Sequence, residues 1–124
     1  IEVRISDVNY GGHVGNDSML TLVHEARLRF LASYNYSEKD IEGLGLVMTD
    51  AALMYKNQAF WGDQINIEIA IADISRIGFD LYYKLTAATN NKEIVIAKTG
   101  MAFFDYNNRK IAATPEKFFT KFVQ

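Results

Sequence analysis

Apolar residues at Met19, Leu22, Val23, Ala26 and Phe30 recur at the three- and four-residue spacing of one helical face. Asn16, Asp17 and Ser18 stand just ahead of them, each with a side-chain oxygen able to accept from a free N–H of a first helical turn. Leu20, Leu28 and Leu31 widen the apolar stripe beyond what a surface helix needs, so the pattern predicts a helix buried on more than one side. A short strand is expected before it. After Gly43 and Gly45 the period changes. The segment 47–61 mixes apolar and polar positions, and Gly62–Asp63 supplies a turn signal. Ile65, Ile67, Ile69 and Ile71 then alternate with Asn66, Glu68, Ala70 and Ala72, the period of a strand with one buried face. Phe79, Leu81, Tyr83 and Leu85 repeat that alternation. Asn90–Asn91 reads as a tight hairpin turn, 92–105 as a long strand, and Asn107–Asn108 as a second turn. Thr114, Pro115 and Glu116 open a short terminal helix through Gln124, with Thr as cap and Pro at the first helical position.

Strands joined by tight hairpins must run antiparallel, which makes this an α+β fold. A curved antiparallel sheet of five to six strands around one long central helix accounts for the breadth of the helix's apolar face. The sheet's other face needs cover as well. A second copy, edge to edge or back to back, supplies it, so a homodimer or homotetramer is expected.

Composition narrows the class. With 124 residues the chain is long enough for one core and too short for two, so 1–124 is read as a single domain. The 49% hydrophobic and 23% charged fractions are those of an ordinary globular protein. A net charge of −2 argues against nucleic acid as a partner, because neutralising phosphates takes a basic surface. No apolar run approaches the roughly 18 residues of a membrane span, and the residues after Ile1 do not read as a signal peptide. The absence of cysteine excludes disulfides, thiolate catalysis and Cys-ligated zinc, and points to the cytoplasm. The two histidines, His13 and His24, lack a third ligand at recognised spacing, so no metal is expected.

The run Asp7, Val8, Asn9, Tyr10, Gly11, Gly12, His13, Val14, Gly15, Asn16 resembles the signature loop of hotdog-fold acyl-CoA thioesterases of the 4-hydroxybenzoyl-CoA thioesterase-like family. In that family an acidic pair precedes a Gly-His-Val-Asn-Asn-like turn and a helix ending in Glu-Ala-Arg. Here the helix carries His24, Glu25, Ala26 and Arg27. Trp61-Gly62-Asp63 resembles the family's turn before its long strands, and Phe103-Phe104-Asp105 with Pro115-Glu116 resembles its closing segment. The likeness spans nearly the whole chain. It implies a hotdog fold, hydrolysis of an acyl-CoA or acyl-carrier-protein thioester, an active site at a subunit interface, and no cofactor beyond the coenzyme A of the substrate. One departure bears on chemistry. Asn9 stands where the family's catalytic carboxylate stands, and the carboxylate lies two residues earlier at Asp7. Asp-Val-Asn before a histidine also resembles the plant acyl-carrier-protein thioesterase signature, where the histidine comes sooner.

Thioester hydrolysis needs an activated water or a carboxylate nucleophile, with donors aimed at the developing oxyanion. A Gly-rich loop entering a helix offers backbone N–H groups and the positive end of the helix dipole, which assigns the substrate carbonyl to Gly11, Gly12, His13 and Val14. Asp7 is base or orienting carboxylate, against a plain solvated loop aspartate. Asn9 holds a water or polarises the carbonyl, against a simple turn residue. His13 is a base, or a structural residue bonded to the loop backbone. Glu25 is a second carboxylate facing a partner's loop, against an i,i+4 pair with Arg29. His24, one residue before it, competes for the same position. Arg76 suits a coenzyme A phosphate, or is a solvated turn arginine. The displaced carboxylate also keeps open a second class, a non-catalytic module that binds acyl thioesters or lipids.

Overall fold

The structure, a computed structural model, describes residues 1–3, 16–60 and 62–122. Helix α1 runs Asn16–Ala32. Met19, Leu22, Val23 and Ala26 are all buried, as the spacing predicts, and Leu31 is buried with them. The wider stripe does not behave as one. Leu20 and Leu28 are 44% and 42% exposed, so the helix is not covered on its outer side within this chain. The reason is layering: a single sheet packs on one side of α1, leaving Leu28 exposed, while Leu20 borders an open cleft with Met48 and Thr99. Asn35, with φ of 62°, turns the chain out of the helix, a conformation asparagine tolerates better than most residues.

Five strands follow: β1 Gly45–Tyr55, β2 Ile65–Ala72, β3 Gly78–Ala87, β4 Glu93–Asp105 and the two-residue β5 Lys110–Ile111. They form one antiparallel sheet in the order β1-β4-β3-β2, with β5 pairing β4. The mixed segment 47–61 is a strand only as far as Tyr55. Of the expected early strand, the described residues show a bridge between Glu2 and Gln64 beside β2; residues 4–15 lie outside the described residues.

Alternation sorts β2 and β3 into two rows, whereas β1 is mostly exposed and β4 is buried on both faces over 99–103. Phe79, Leu81, Tyr83, Leu85 and Ala87 of β3 face inward and are buried. Val95, Ala97, Thr99, Met101 and Phe103 do the same on β4. Residues 88–92 join these strands, so the hairpin is longer than a two-residue turn; Asn91, at φ 56°, takes the left-handed position. In the next turn Arg109 takes that position, with φ of 52°, rather than Asn107 or Asn108. Their two backbone N–H groups donate instead to Asp105 Oδ1 at 2.9 and 3.1 Å. At Gly78 the strands close so tightly that a Cβ would lie 2.0 Å from the carbonyl oxygen of Met101.

Helix α2, Glu116–Phe122, seals one end of the core. Residues 123 and 124, which the sequence reading included in this helix, lie outside the described residues. Phe118 is fully buried, its ring 5.0 Å from that of Phe79 and 5.1 Å from that of Phe103. At the other side of the sheet β1, eleven residues long, has β4 as its single neighbour among the described residues, which leave its other edge open.

Candidate active site

Among the described residues, clefts open on two sides of α1. The larger, about 470 Å³, lies on the β2 side between Ala26, Arg29 and Phe30 of the helix and Ile65, Ile67 and Ile69 of the strand. Arg29, its charged side chain among the described residues, already holds Glu25 through Nη2–H donated to Oε2 at 2.6 Å. The smaller, about 270 Å³, opens on the β1 side and is lined by Leu20, Val23, His24, Arg27, Met48 and Thr99. Chemistry concentrates in the second.

Arg27 sits on the flank of α1 that turns toward β3 and β4, and only 6% of it is exposed. A buried guanidinium must be paired and hydrogen-bonded. Its Nε–H donates to Glu38 Oε2 at 3.0 Å and an Nη1–H to the Tyr83 hydroxyl at 3.3 Å. Tyr83 and Thr99 stand on the inner rows of β3 and β4, and their hydroxyls are 2.7 Å apart. The other carboxylate oxygen of Glu38 is 2.6 Å from His24 Nε2, and half of the His24 side chain is exposed at the mouth of the cleft. Five side chains thus form one polar chain from the rim to the floor: His24, Glu38, Arg27, Tyr83, Thr99. Burial works to raise the Glu38 carboxyl, and hydrogen bonds from His24 and Arg27 outweigh it, so the group titrates below its ordinary range and stays anionic.

The candidates named from sequence fall unevenly. Asp7, Asn9, Gly11, Gly12, His13 and Val14 lie outside the described residues. Glu25 is in the i,i+4 pair with Arg29, and lines neither cleft. Arg76 is exposed in the β2–β3 connection, where its carbonyl accepts from Thr114 N–H at 2.7 Å. Among the described residues no cluster of histidine and carboxylate side chains is arranged to hold a metal ion. Sequence reasoning missed Glu38, Thr99 and the hydroxyl of Tyr83, whose ring lies in the core. The available signal was a hydroxyl on an inner row: Thr99 interrupts the apolar series of β4, and an arginine stands on the helix flank opposite.

A family model for the thioesterase-like superfamily matches residues 3–122. The chain belongs to that superfamily. A 1,4-dihydroxy-2-naphthoyl-CoA hydrolase of Microcystis aeruginosa is 29% identical over 99 residues, 77% of this chain and 69% of that protein. The crystal structure of a 1,4-dihydroxy-2-naphthoyl-CoA thioesterase from Synechocystis superposes with a TM-score of 0.86 at 24% identity, covering 97% of this chain and 90% of the other. A gentisyl-coenzyme A thioesterase superposes with a TM-score of 0.83 at 15% identity, covering 95% of each. At these identities the two structures speak for the fold. This member of the thioesterase-like superfamily has the hotdog fold that its loop sequence implied, with α1 as the central helix on an antiparallel sheet of five strands among the described residues. No helix among its described residues is long and apolar enough to cross a membrane.

Proposed function

We propose that the chain is an enzyme that hydrolyses an acyl-CoA thioester to free acid and thiol, at a site shared between two copies. The observation that carries this reading is the cleft between α1 and the open edge of β1, apolar at Leu20, Val23 and Met48 and polar at Arg27 and Thr99, in a chain of the thioesterase-like superfamily. Small-molecule sites have this mixture of apolar walls and a few oriented polar groups. The reading assigns Asp7 and Asn9 to the attacking water and the backbone of Gly12, His13 and Val14 to the oxyanion. Arg76 is the candidate for a coenzyme A phosphate. No cofactor beyond the substrate's own coenzyme A takes part. An aromatic acyl group bearing hydroxyls is the first to try, because named relatives act on such thioesters.

The eleven-residue edge of β1 supports pairing with a second copy, since an unpaired strand of that length is a template for another strand. Met54, Tyr82 and Ile96, exposed together on the outer face of the sheet, favour a further, back-to-back contact. We place the protein in the cytoplasm, in keeping with a chain free of cysteine.

The test is free-thiol release from short, long and aromatic acyl-CoAs by the wild type and Asp7→Ala, with size-exclusion chromatography alongside. Release lost in Asp7→Ala, from an oligomer, is the expected result. A fully active monomer would remove the shared site. Tight binding of acyl-CoA without turnover would favour the binding module, with Asn9 in the carboxylate position as its cause.

A further inference from the structure

The sequence leaves Glu25 and His24 competing for one position on α1. The geometry separates them. Glu25 is held by Arg29 and lines neither cleft, whereas His24 stands at the mouth of the cleft that holds the buried polar chain. We infer that His24 is the proton acceptor of the proposed hydrolysis, with its Nδ1 as the basic atom and Glu38 and Arg27 as positioning residues. The inference rests on the thioesterase reading above.

One carboxylate, that of Glu38, has two partners. Glu38 Oε2 accepts from Arg27 Nε–H at 3.0 Å, and Oε1 lies 2.6 Å from His24 Nε2. An anionic Glu38 has nothing to donate, so the hydrogen in the second bond belongs to His24 Nε2. In neutral imidazole one nitrogen donates and the other accepts, so Nδ1 carries the free lone pair. Among the described residues nothing occupies Nδ1. This is the arrangement of a general base whose far nitrogen is fixed by a carboxylate. Arg27 makes the fixing rigid, because it is itself buried and tied to Tyr83 on β3.

Among the described residues the groups facing His24 are few. Its own helix brings Arg27, the turn after α1 brings Glu38, and β1 and β4 bring the uncharged Met48 and Thr99. In the reaction, water oxygen bonds to the thioester carbonyl carbon while its proton passes to Nδ1. The tetrahedral adduct then collapses with cleavage of the C–S bond. The sulfur leaves with the electron pair and takes the proton back from His24, giving free acid and free thiol.

The experiment measures kcat and KM across pH for the wild type, His24→Gln and Glu38→Gln, on whichever acyl-CoA the wild type turns over best. Histidine ¹⁵N NMR on the same proteins reads the tautomer. His24→Gln should lower kcat by roughly a hundred-fold or more, the ordinary range for a lost general base, with KM within about two-fold. The fall in activity on the acid side of the wild-type profile should vanish with it. Glu38→Gln should retain that fall and mix the His24 tautomers. Thermal melting checks that both variants fold; if Glu38→Gln does not, His24→Gln with the wild-type tautomer spectrum decides alone. A His24→Gln enzyme with unchanged kcat, or with the acid fall intact, overturns the inference while leaving hydrolysis standing. A wild type whose His24 carries its proton on Nδ1 overturns it too. No thiol release from any acyl-CoA removes the hydrolysis reading itself, and this inference with it.

Discussion

Replacing Tyr83 with Phe and Thr99 with Val, singly and together, tests whether the buried hydroxyls form one connected chain. Tyr83 is 1% exposed and Thr99 0%, so neither hydroxyl has bulk water to fall back on. Tyr83→Phe removes the 2.7 Å bond to Thr99 and the 3.3 Å bond from Arg27. The first is short and neutral and contributes about 1 kcal/mol. The second is charge-assisted but long, and losing it strands a buried guanidinium N–H, for about 1 kcal/mol more. The single substitution should therefore cost about 2 kcal/mol. Thr99→Val keeps the shape and loses only the shared bond, so it should cost about 1 kcal/mol. In the double mutant that bond is lost once, which gives a total of about 2 kcal/mol and a coupling of about 1 kcal/mol. Urea unfolding at one fixed protein concentration measures all four proteins, since self-association shifts apparent stability. Additivity within about 0.3 kcal/mol would refute the shared bond.

Glu38 links the same network to pH. Its folded-state pKa lies below the ordinary 4.5, so it adds stability that is present above that value and lost as pH falls through the lower, folded one. The urea midpoint should drop across that acid window in the wild type, and Glu38→Gln should remove this part of the drop; an unchanged acid profile in the variant contradicts it. Gly78→Ala brings a Cβ to 2.0 Å from the backbone oxygen of Met101, which cannot swing aside as a side chain does. It should cost about 1–3 kcal/mol or prevent folding, read as loss of the thermal transition. Phe118→Ala empties the ring cluster with Phe79 and Phe103 and should cost about 3–5 kcal/mol by denaturant unfolding. A cost under about 1 kcal/mol would mean that α2 is not docked as described.

Periodicity carried the middle of the fold because β2 and β3 have one wetter face and one drier one. Ile65 to Ala72 and Phe79 to Leu85 alternate residue by residue, and their registers keep like faces together, with Ile69 opposite Tyr83 and Ile71 opposite Leu81. The helix was legible for the same reason, but its limits were not. Leu20 and Leu28 have the apolarity of core residues and lack the covering layer. The polar chain was harder still, since period says which way a side chain points and nothing about what it meets. Tyr83 sits on a buried row, as the alternation predicts, and its hydroxyl joins Arg27, 56 residues earlier in the chain, which the alternation does not reveal. Glu38 lies in the turn after α1, where carboxylates are usually solvated, and only the fold brings it beneath His24 and Arg27.

That network is a poor device for stability and a good one for position. Burying Arg27 carries a desolvation cost that its bond to Glu38 offsets at best, and an apolar side chain of similar length would fill the same space on α1. What an apolar side chain would not do is divide the two oxygens of one carboxylate between a buried cation and an exposed imidazole. Glu38 is held through Arg27 to Tyr83, and through Tyr83 to Thr99, so its place is set by two central strands of the sheet. His24 takes its orientation from Glu38 in turn. A half-exposed side chain on a helix surface would otherwise sample several rotamers; here it points at the cleft with the rigidity of the core behind it.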